Sequence, residues 1–453
     1  MFSRNIDMLN GSLWDKIIIF ALPLAFTGVL QQLLNAADVA VLGQFVGKNA
    51  MAAVGNNTAV IGMTVNLFMG LSLGANVVIA QNIGGGHHAR AHRTVNTAFL
   101  LAIFTGVAVA LFGEMMVLPV MRWLDVPIEV WDMAETYLRI YLIGMPVIGV
   151  YNFEAAIFRS RGDTTTPLVA LAIASFLNVI LNLFTVCRLG LGIDGVAWST
   201  VIAFGVAAAI LFWGLTHTQG IIRLDVRYMQ LDKAQLREIV RIGLPAGIQG
   251  MVFSLSNMII QSAINSLGAD VMAASAAAFT IEINVFCFIN AFGQATTTFV
   301  SQNYGAGNIA RCRLVTKVAM NLNILFMGVL SGFILYFAEP LLAFFNDDPN
   351  VVAFGKIRIF YVVAPEIINV VMEAISGAMR GFGVSLVPAI MTLLGICGIR
   401  ITWVYTLFAD SPTYETLMMT YPVSWFVTMI FLIIAYIITL KHLKIFRADT
   451  IDA

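Results

Sequence analysis

Long apolar stretches dominate the chain, and short polar segments separate them. Twelve stretches are long enough to cross about 30 Å of hydrocarbon as helices rising about 1.5 Å per residue. The alternation of apolar and polar residues typical of membrane strands is absent, which argues against a β-barrel. The pattern predicts an all-α integral membrane protein with 12 transmembrane helices, at 17–41, 51–80, 94–119, 133–158, 165–187, 192–215, 239–264, 271–301, 314–338, 352–378, 384–408 and 418–440.

Composition supports this class. Of the 453 residues, 59% are hydrophobic and only 11% are charged, whereas soluble domains carry about 25% charged residues. The net charge of zero argues against a nucleic-acid partner. The four cysteines form neither a disulfide framework nor a CxxC metal pair. We therefore expect a monomer whose partners are the lipid bilayer and a small-molecule substrate, with no metal.

Basic residues predict the orientation. From Arg4 and Lys16 before the first span to Lys441 after the last, 18 of the 25 Lys and Arg fall on one side of the predicted spans. The positive-inside rule places that side, with both termini, in the cytoplasm. We expect a multi-pass protein of the inner (plasma) membrane whose first span acts as its targeting signal.

The two halves of the chain repeat one plan. "IIIFALPLAFTG" (17–28) is matched by "IVRIGLPAGIQG" (239–250), Pro146 by Pro365 and Glu154 by Glu373. Six spans per repeat give both halves the same orientation, so their pseudo-twofold axis runs along the membrane normal. We predict two six-helix lobes, 1–215 and 239–453, joined by a solvated cytoplasmic linker at 216–238.

A glycine-rich phrase also repeats, as "QNIGGG" (81–86) and "QNYGAG" (302–307). A nucleotide-binding P-loop requires GxxxxGK[ST], which neither copy contains. His87, His88 and His92 follow the first copy, but no carboxylate or cysteine accompanies them as a metal ligand. Glycine at the end of a helix caps it by adopting positive φ, so we interpret both copies as turns between spans.

The order of these motifs resembles the multidrug and toxic compound extrusion (MATE) family. "LNAADVAVLGQFVGKNAMAAVG" (34–55) is similar to the first loop of that family, and "IFRSRGDTTTPL" (157–168) to its turn between spans 4 and 5. The resemblance implies a V-shaped fold of two six-helix lobes and export of organic cations against a proton or sodium gradient, without another cofactor. Flippases for lipid-linked sugars share this fold, so the fold alone does not fix the substrate.

Asp38 is the first ionisable residue of interest, because a charge inside a span costs at least about 2.5 kcal/mol on insertion scales. Asn35 lies one turn before it, on the same helix face. The resemblance implies that Asp38 is the cation-coupling carboxylate of the N-terminal lobe; the alternative is a position near the outer headgroups. The family often has Asn-x3-Asp on span 5, where this chain has Asn178 and Asn182. The missing second carboxylate leaves the coupling ion, H⁺ or Na⁺, open.

The second half carries further charges within its spans. Some branches of the family place a cation site on spans 7 and 10. The candidates for it in this chain are Glu282 and Glu373. Glu366 lies seven residues before Glu373 and therefore on the same helix face. The alternative is that Glu154 and Glu373 form structural ion pairs with the Arg-Gly turns that follow them. Arg400 could bind Glu282, an anionic substrate or a structural partner.

These observations favour a secondary transporter that exports amphipathic, cationic compounds by cation antiport with alternating access. The alternative is a flippase or exporter of a lipid-linked or anionic metabolite. A membrane enzyme is disfavoured, because all five histidines fall in predicted cytoplasmic segments rather than in a span.

Overall fold

A computed structural model describes residues 6–124, 126–218 and 220–448. Over these residues the chain is helical and contains no strand. Within the described residues, eleven helices are long and apolar enough to cross a membrane, and one bent pair of helices supplies a twelfth span. The predicted all-α membrane architecture is confirmed. Arg4, used above for the orientation, lies outside the described residues.

The spans, named α1–α12 in chain order, extend the predicted stretches by a few residues at most ends. They are α1 Trp14–Phe45, α2 Lys48–Gly84, α3 His88–Trp123, α4 Trp131–Ile143 with Met145–Ser160, α5 Thr165–Arg188, α6 Gly192–His217, α7 Lys233–Asn265, α8 Ala269–Gly305, α9 Ile309–Tyr336, α10 Pro349–Gly381, α11 Leu386–Asp410 and α12 Tyr414–Leu443.

The interruptions of α4 and α10 fall at equivalent points of the two repeats. The axis of α4 bends by 47° between Trp131–Ile143 and Met145–Ser160, just before Pro146. In α10 the segments Pro349–Val363 and Glu366–Gly381 are separated at Ala364 and Pro365. Proline removes a backbone donor and crowds the preceding turn, which explains a break at the same place in each repeat.

The two glycine-rich phrases form the same turn. Gly86 and Gly307 adopt positive φ values of 72° and 79°. The next amide donates back to the Asn carbonyl in both copies, from His87 to Asn82 and from Asn308 to Asn303, each at 2.9 Å. This geometry satisfies the free carbonyls at a helix end. The interpretation of both phrases as turns is confirmed.

Contacts group the chain into two compact units whose boundaries fall inside helices. The first comprises residues 1–9 and 22–251, and the second 10–21 and 252–453. The start of α7 therefore belongs to the first unit. Its Gly243 and Gly247 pack against Gly70 and Gly74 of α2, where a Cβ at any of the four would collide with or crowd the facing backbone. Small residues spaced four apart allow membrane helices to approach this closely.

The predicted lobes 1–215 and 239–453 differ from the two compact units at two places. The start of α7 belongs to the first unit, and the start of α1 belongs to the second. The lobe boundaries stay a prediction. The description of 216–238 as solvated is wrong for part of it. Ile222 and Leu224 are each 1% exposed, and the Asp232 amide donates to Thr97 of α3. The apolar pair anchors this segment to the first unit, which charge counting alone did not reveal.

Candidate cation-coupling site

Asp38 lies in the second half of α1 and is only 4% exposed. Its Oδ1 accepts a 2.6 Å hydrogen bond from the Asn182 side-chain amide. Its Oδ2 accepts a 2.8 Å hydrogen bond from the Thr200 hydroxyl. Burial of a carboxylate costs several kcal/mol, and a hydrogen bond to a charged group returns about 1.5–3 kcal/mol. Neutral donors on α5 and α6 thus hold the charge inside the protein.

A closed ring of hydrogen bonds surrounds the carboxylate. Asn182 Nδ2 also donates to Asn178 Oδ1 at 3.0 Å, and Asn178 Nδ2 donates to Thr200 Oγ1 at 3.2 Å. Both asparagines are fully buried. Their spacing of four residues places them on one face of α5, so the predicted polar patch is present and faces Asp38.

Thr200 is the residue that gives this ring two arrangements. Its hydroxyl carries one hydrogen and has two acceptors, Asp38 Oδ2 at 2.8 Å and the Val196 carbonyl at 3.1 Å. The hydroxyl can donate to a charged Asp38, or turn to Val196 and accept a proton held by Asp38. Both protonation states fit with rotation of one side chain.

Sequence reasoning missed Thr200 and included Asn35. Threonine in a span usually bonds its own i−4 carbonyl, so its type alone carries no signal of a site. Asn35 is one turn from Asp38, but its side chain is exposed and has no part in the hydrogen bonds of the ring. The helix face of α1 that carries Asn35 is therefore not the face that meets α5 and α6.

A π-helical turn follows the ring at Phe184–Arg188 in α5. A second π-helical segment lies in α11 at Leu393–Gly398 and ends two residues before Arg400. Such segments widen a helix and often lie at functional positions. Both irregular segments lie in the fifth span of their half.

Glu282 lies on α8, not on the seventh span, and its partner is basic. Arg358 of α10 donates to both carboxylate oxygens, from Nε at 2.8 Å and from Nη2 at 2.9 Å. Glu282 is 6% and Arg358 3% exposed. A bidentate pair of this kind satisfies both charges, so Glu282 does not bind Arg400.

Glu373 lies far from Glu282 within the second unit. It forms a 3.6 Å ion pair with Arg380, which confirms the structural alternative for this residue. It also lies against Gly293 of α8, eleven residues from Glu282 and therefore about 16 Å along the helix at about 1.5 Å per residue. The two carboxylates do not form one site. Glu366 is 3% exposed and accepts from Asn369 at 3.0 Å.

Arg400 is 1% exposed and forms no salt bridge with a carboxylate of the described residues. Nη1 donates to Asn257 at 3.1 Å, and the guanidinium lies 4.3 Å from the centre of the Tyr421 ring. Its Nε and Nη2 have no hydrogen-bond partner among the described residues. An arginine held by an amide and an aromatic face retains donors for an anionic group.

Two long sequence matches identify the family. The family model named MatE matches residues 23–184 and 245–406, one block in each repeat. The chain belongs to the MatE family. Its members are transporters, and the two blocks include Asp38, Asn178 and Asn182 in the first half and Arg400 in the second.

The names of similar proteins indicate different substrates. The chain is 28% identical to the probable multidrug resistance protein NorM of Thermotoga maritima, covering 85% of this chain and 84% of that protein. It is 22% identical to an FAD transporter of Shewanella oneidensis, covering 70% of this chain and 71% of that protein. A solved multidrug resistance MATE family transporter of the MOP superfamily matches with a TM-score of 0.90 at 20% identity, over 98% of this chain and 99% of that one, which shows the shared fold.

Proposed function

We propose that the protein is a secondary transporter that exports amphipathic, cationic compounds across the inner membrane in exchange for a coupling cation, with Asp38 as the coupling residue. The observation that carries the proposal is the ring around Asp38. Its donors are uncharged, and no basic side chain of the described residues forms an ion pair with it. A buried negative charge without a resident counter-ion suits a site that a cation occupies transiently.

The Thr200 hydroxyl provides the link between occupancy and conformation. When Asp38 is charged, Thr200 donates to it; when Asp38 holds a proton, Thr200 turns to Val196. The ring joins α1, α5 and α6, so the two states differ in how strongly these helices are held together. A ligand that favours one state shifts the population between them, which is the energetic basis of alternating access.

The coupling ion we propose is the proton. Sodium is bound by several oxygen ligands and is favoured by more than one negative charge. Asn182 places an uncharged amide where the family often has a second carboxylate, so this site carries one negative charge instead of two. A single buried carboxyl group is sufficient to accept and release a proton.

A second candidate function is export of an anionic metabolite, including a lipid-linked one. Arg400 favours it, because two of its buried N–H groups have no partner among the described residues. The FAD transporter among the relatives carries an anionic dinucleotide by its name. Carboxylates and phosphates are the groups that a guanidinium binds best.

Transport into everted membrane vesicles distinguishes the two functions. Under an imposed pH gradient, we expect vesicles containing the protein to accumulate hydrophobic dye cations, and not a flavin dinucleotide, above empty vesicles. Accumulation of the dinucleotide that is lost in Arg400→Gln would instead establish the anionic substrate. Accumulation of neither class would refute both proposals.

We further propose that both termini lie in the cytoplasm and that the protein acts as a monomer. In a cysteine-free background, single cysteines at Asn49, Asp347 and Pro412 should react with an impermeant maleimide in intact cells. Cysteines at His88 and Gln230 should react only after the membrane is opened. Labelling of position 230 in intact cells would contradict this orientation.

A further inference from the structure

Glu154 breaks the symmetry between the two repeats. Its counterpart Glu373 pairs with the arginine seven residues later. The equivalent arginine in the first half, Arg161, instead donates to Thr218 at 3.2 Å. Glu154 is 0% exposed, and neither carboxylate oxygen has a hydrogen-bond partner among the described residues. The alternative of a structural pair between Glu154 and Arg161 is therefore wrong, and no basic side chain of the described residues forms an ion pair with this buried carboxyl group.

Glu154 also lines a groove of about 330 Å³ between α4 and α6. A volume of this size falls within the roughly 300–1,000 Å³ of small-molecule sites. Apart from Glu154 the groove is apolar and carries no basic side chain, and its walls include Pro146, Val150, Gly205, Ala209 and Phe212. The groove thus combines an apolar wall with one acidic residue, whose carboxyl group is buried.

The outer side of α6 indicates what this groove faces. Trp198, Ile202 and Trp213 are 42%, 46% and 60% exposed, which is the pattern of a helix surface in contact with lipid. Ala209 lies four residues from Trp213 and is itself exposed. The groove therefore opens beside the lipid-facing stripe of α6, where an amphipathic compound dissolved in the bilayer can reach it.

A second buried polar atom lies next to Glu154. The Tyr151 hydroxyl, three residues earlier and on the same face of α4, also has no hydrogen-bond partner among the described residues. The Tyr151 ring packs against Phe204 of α6 with ring centres 5.5 Å apart, beside Gly205 of the groove wall. The unsatisfied carboxyl group of Glu154 carries a cost that a bound ligand would offset.

We propose that the groove between α4 and α6 is a membrane-facing binding site for a hydrophobic organic cation, with Glu154 as its counter-charge. The apolar wall takes the hydrocarbon part of the ligand, and Glu154 provides the attraction for its positive centre. A lipid acyl chain would fill the groove equally well but would leave the carboxyl group unpaired. The site is separate from Asp38. The proposal rests on the proposed function only because that function supplies the class of compound that binds.

Binding of tetraphenylphosphonium to the full-length chain in lipid nanodiscs tests this site, combined with photolabelling by an azide-bearing triphenylphosphonium. All measurements use an Asp38→Asn background, so that they do not depend on transport. We expect labelled peptides from α4 and α6. Addition of Glu154→Gln should weaken binding at least tenfold and remove that label, and neutral triphenylphosphine oxide should not compete.

Two further variants separate the groove from a general effect on folding. Ala209→Trp fills the groove without altering Glu154 and should also remove the label from α4 and α6. Ile202→Trp, on the lipid-facing stripe of the same helix, is the matched control and should leave it unchanged. Unchanged labelling in Glu154→Gln or Ala209→Trp, or equal displacement by triphenylphosphine oxide or phospholipid, would overturn the proposal. Labelling as expected, together with no measurable efflux by the protein that retains Asp38, would refute the transport function alone.

Discussion

The side-chain amide of Asn182 donates a 2.6 Å hydrogen bond to Oδ1 of Asp38, joining α5 to α1 through residues 144 positions apart. An uncharged group thus stands beside the buried carboxylate where the family often has a second acid. The amide can donate to Asp38 only through its nitrogen, so its oxygen faces elsewhere and has no partner among the described residues. The uncharged amide at this contact leaves Asp38 as the one carboxylate of the ring, and the proposed choice of the proton rests on that.

Replacing Asn182 with Asp should change the ion that drives transport. The substitution keeps the shape of the side chain but adds a second negative charge within hydrogen-bond distance of Asp38. We expect efflux by Asn182→Asp to be stimulated by a sodium gradient that has no effect on the unmodified protein. Parallel efflux assays under pH and sodium gradients measure this, with Asn35→Asp, outside the ring, as the control. Sodium-independent efflux by Asn182→Asp would show that the charge count does not select the ion.

Replacing Thr200 with Val should uncouple the ring while preserving its volume. Valine has neither a donor for Asp38 nor an acceptor for a proton held by Asp38. We expect efflux to fall at least tenfold, and the free energy of unfolding to fall by about 1–3 kcal/mol through the lost hydrogen bond to a charged group. Thr200→Ser retains the hydroxyl and should recover most of the efflux. Equal rates for Val and Ser would remove Thr200 from the mechanism.

The length of the apolar stretches allowed the spans to be predicted, because crossing the membrane requires about 20 apolar residues regardless of what they contact. The repeated glycine turns were also predictable, since positive φ at a helix end is a local requirement. The partners of the buried charged residues could not be predicted. Arg358 lies within the predicted span 352–378 and pairs with Glu282, 76 residues away. Such pairing depends on helix packing, which one sequence does not display.

Removing one partner of the Glu282–Arg358 pair should destabilise the protein more than removing both partners. Glu282→Gln leaves a buried guanidinium unpaired, and Arg358→Met leaves a buried carboxylate unpaired. Each should lower the free energy of unfolding by about 3–5 kcal/mol, whereas the double variant should lose less than the sum of the two. Thermal unfolding in detergent measures all three. Strict additivity would mean that the two residues do not interact.

Gly70 should tolerate no side chain, because a Cβ would meet the backbone of Gly247 at a distance that real Cβ atoms do not reach. We expect Gly70→Ala to reduce stability by about 1–3 kcal/mol or more through overpacking of α2 against the start of α7. Gly62→Ala is the matched control on the same helix, since a Cβ there meets nothing within 4 Å. The melting temperatures of the two variants test this prediction. Equal melting temperatures would contradict the close approach of these helices.

Efflux by Asp38→Asn tests the central claim most directly. Asparagine keeps the size of the side chain but is uncharged at any pH, so it mimics the protonated state and can release no proton. In vesicles with an imposed pH gradient, the unmodified protein should transport a hydrophobic dye cation and Asp38→Asn should not, while both still bind the dye. Export by Asp38→Asn at the unmodified rate would show that this carboxylate does not couple ion movement to transport.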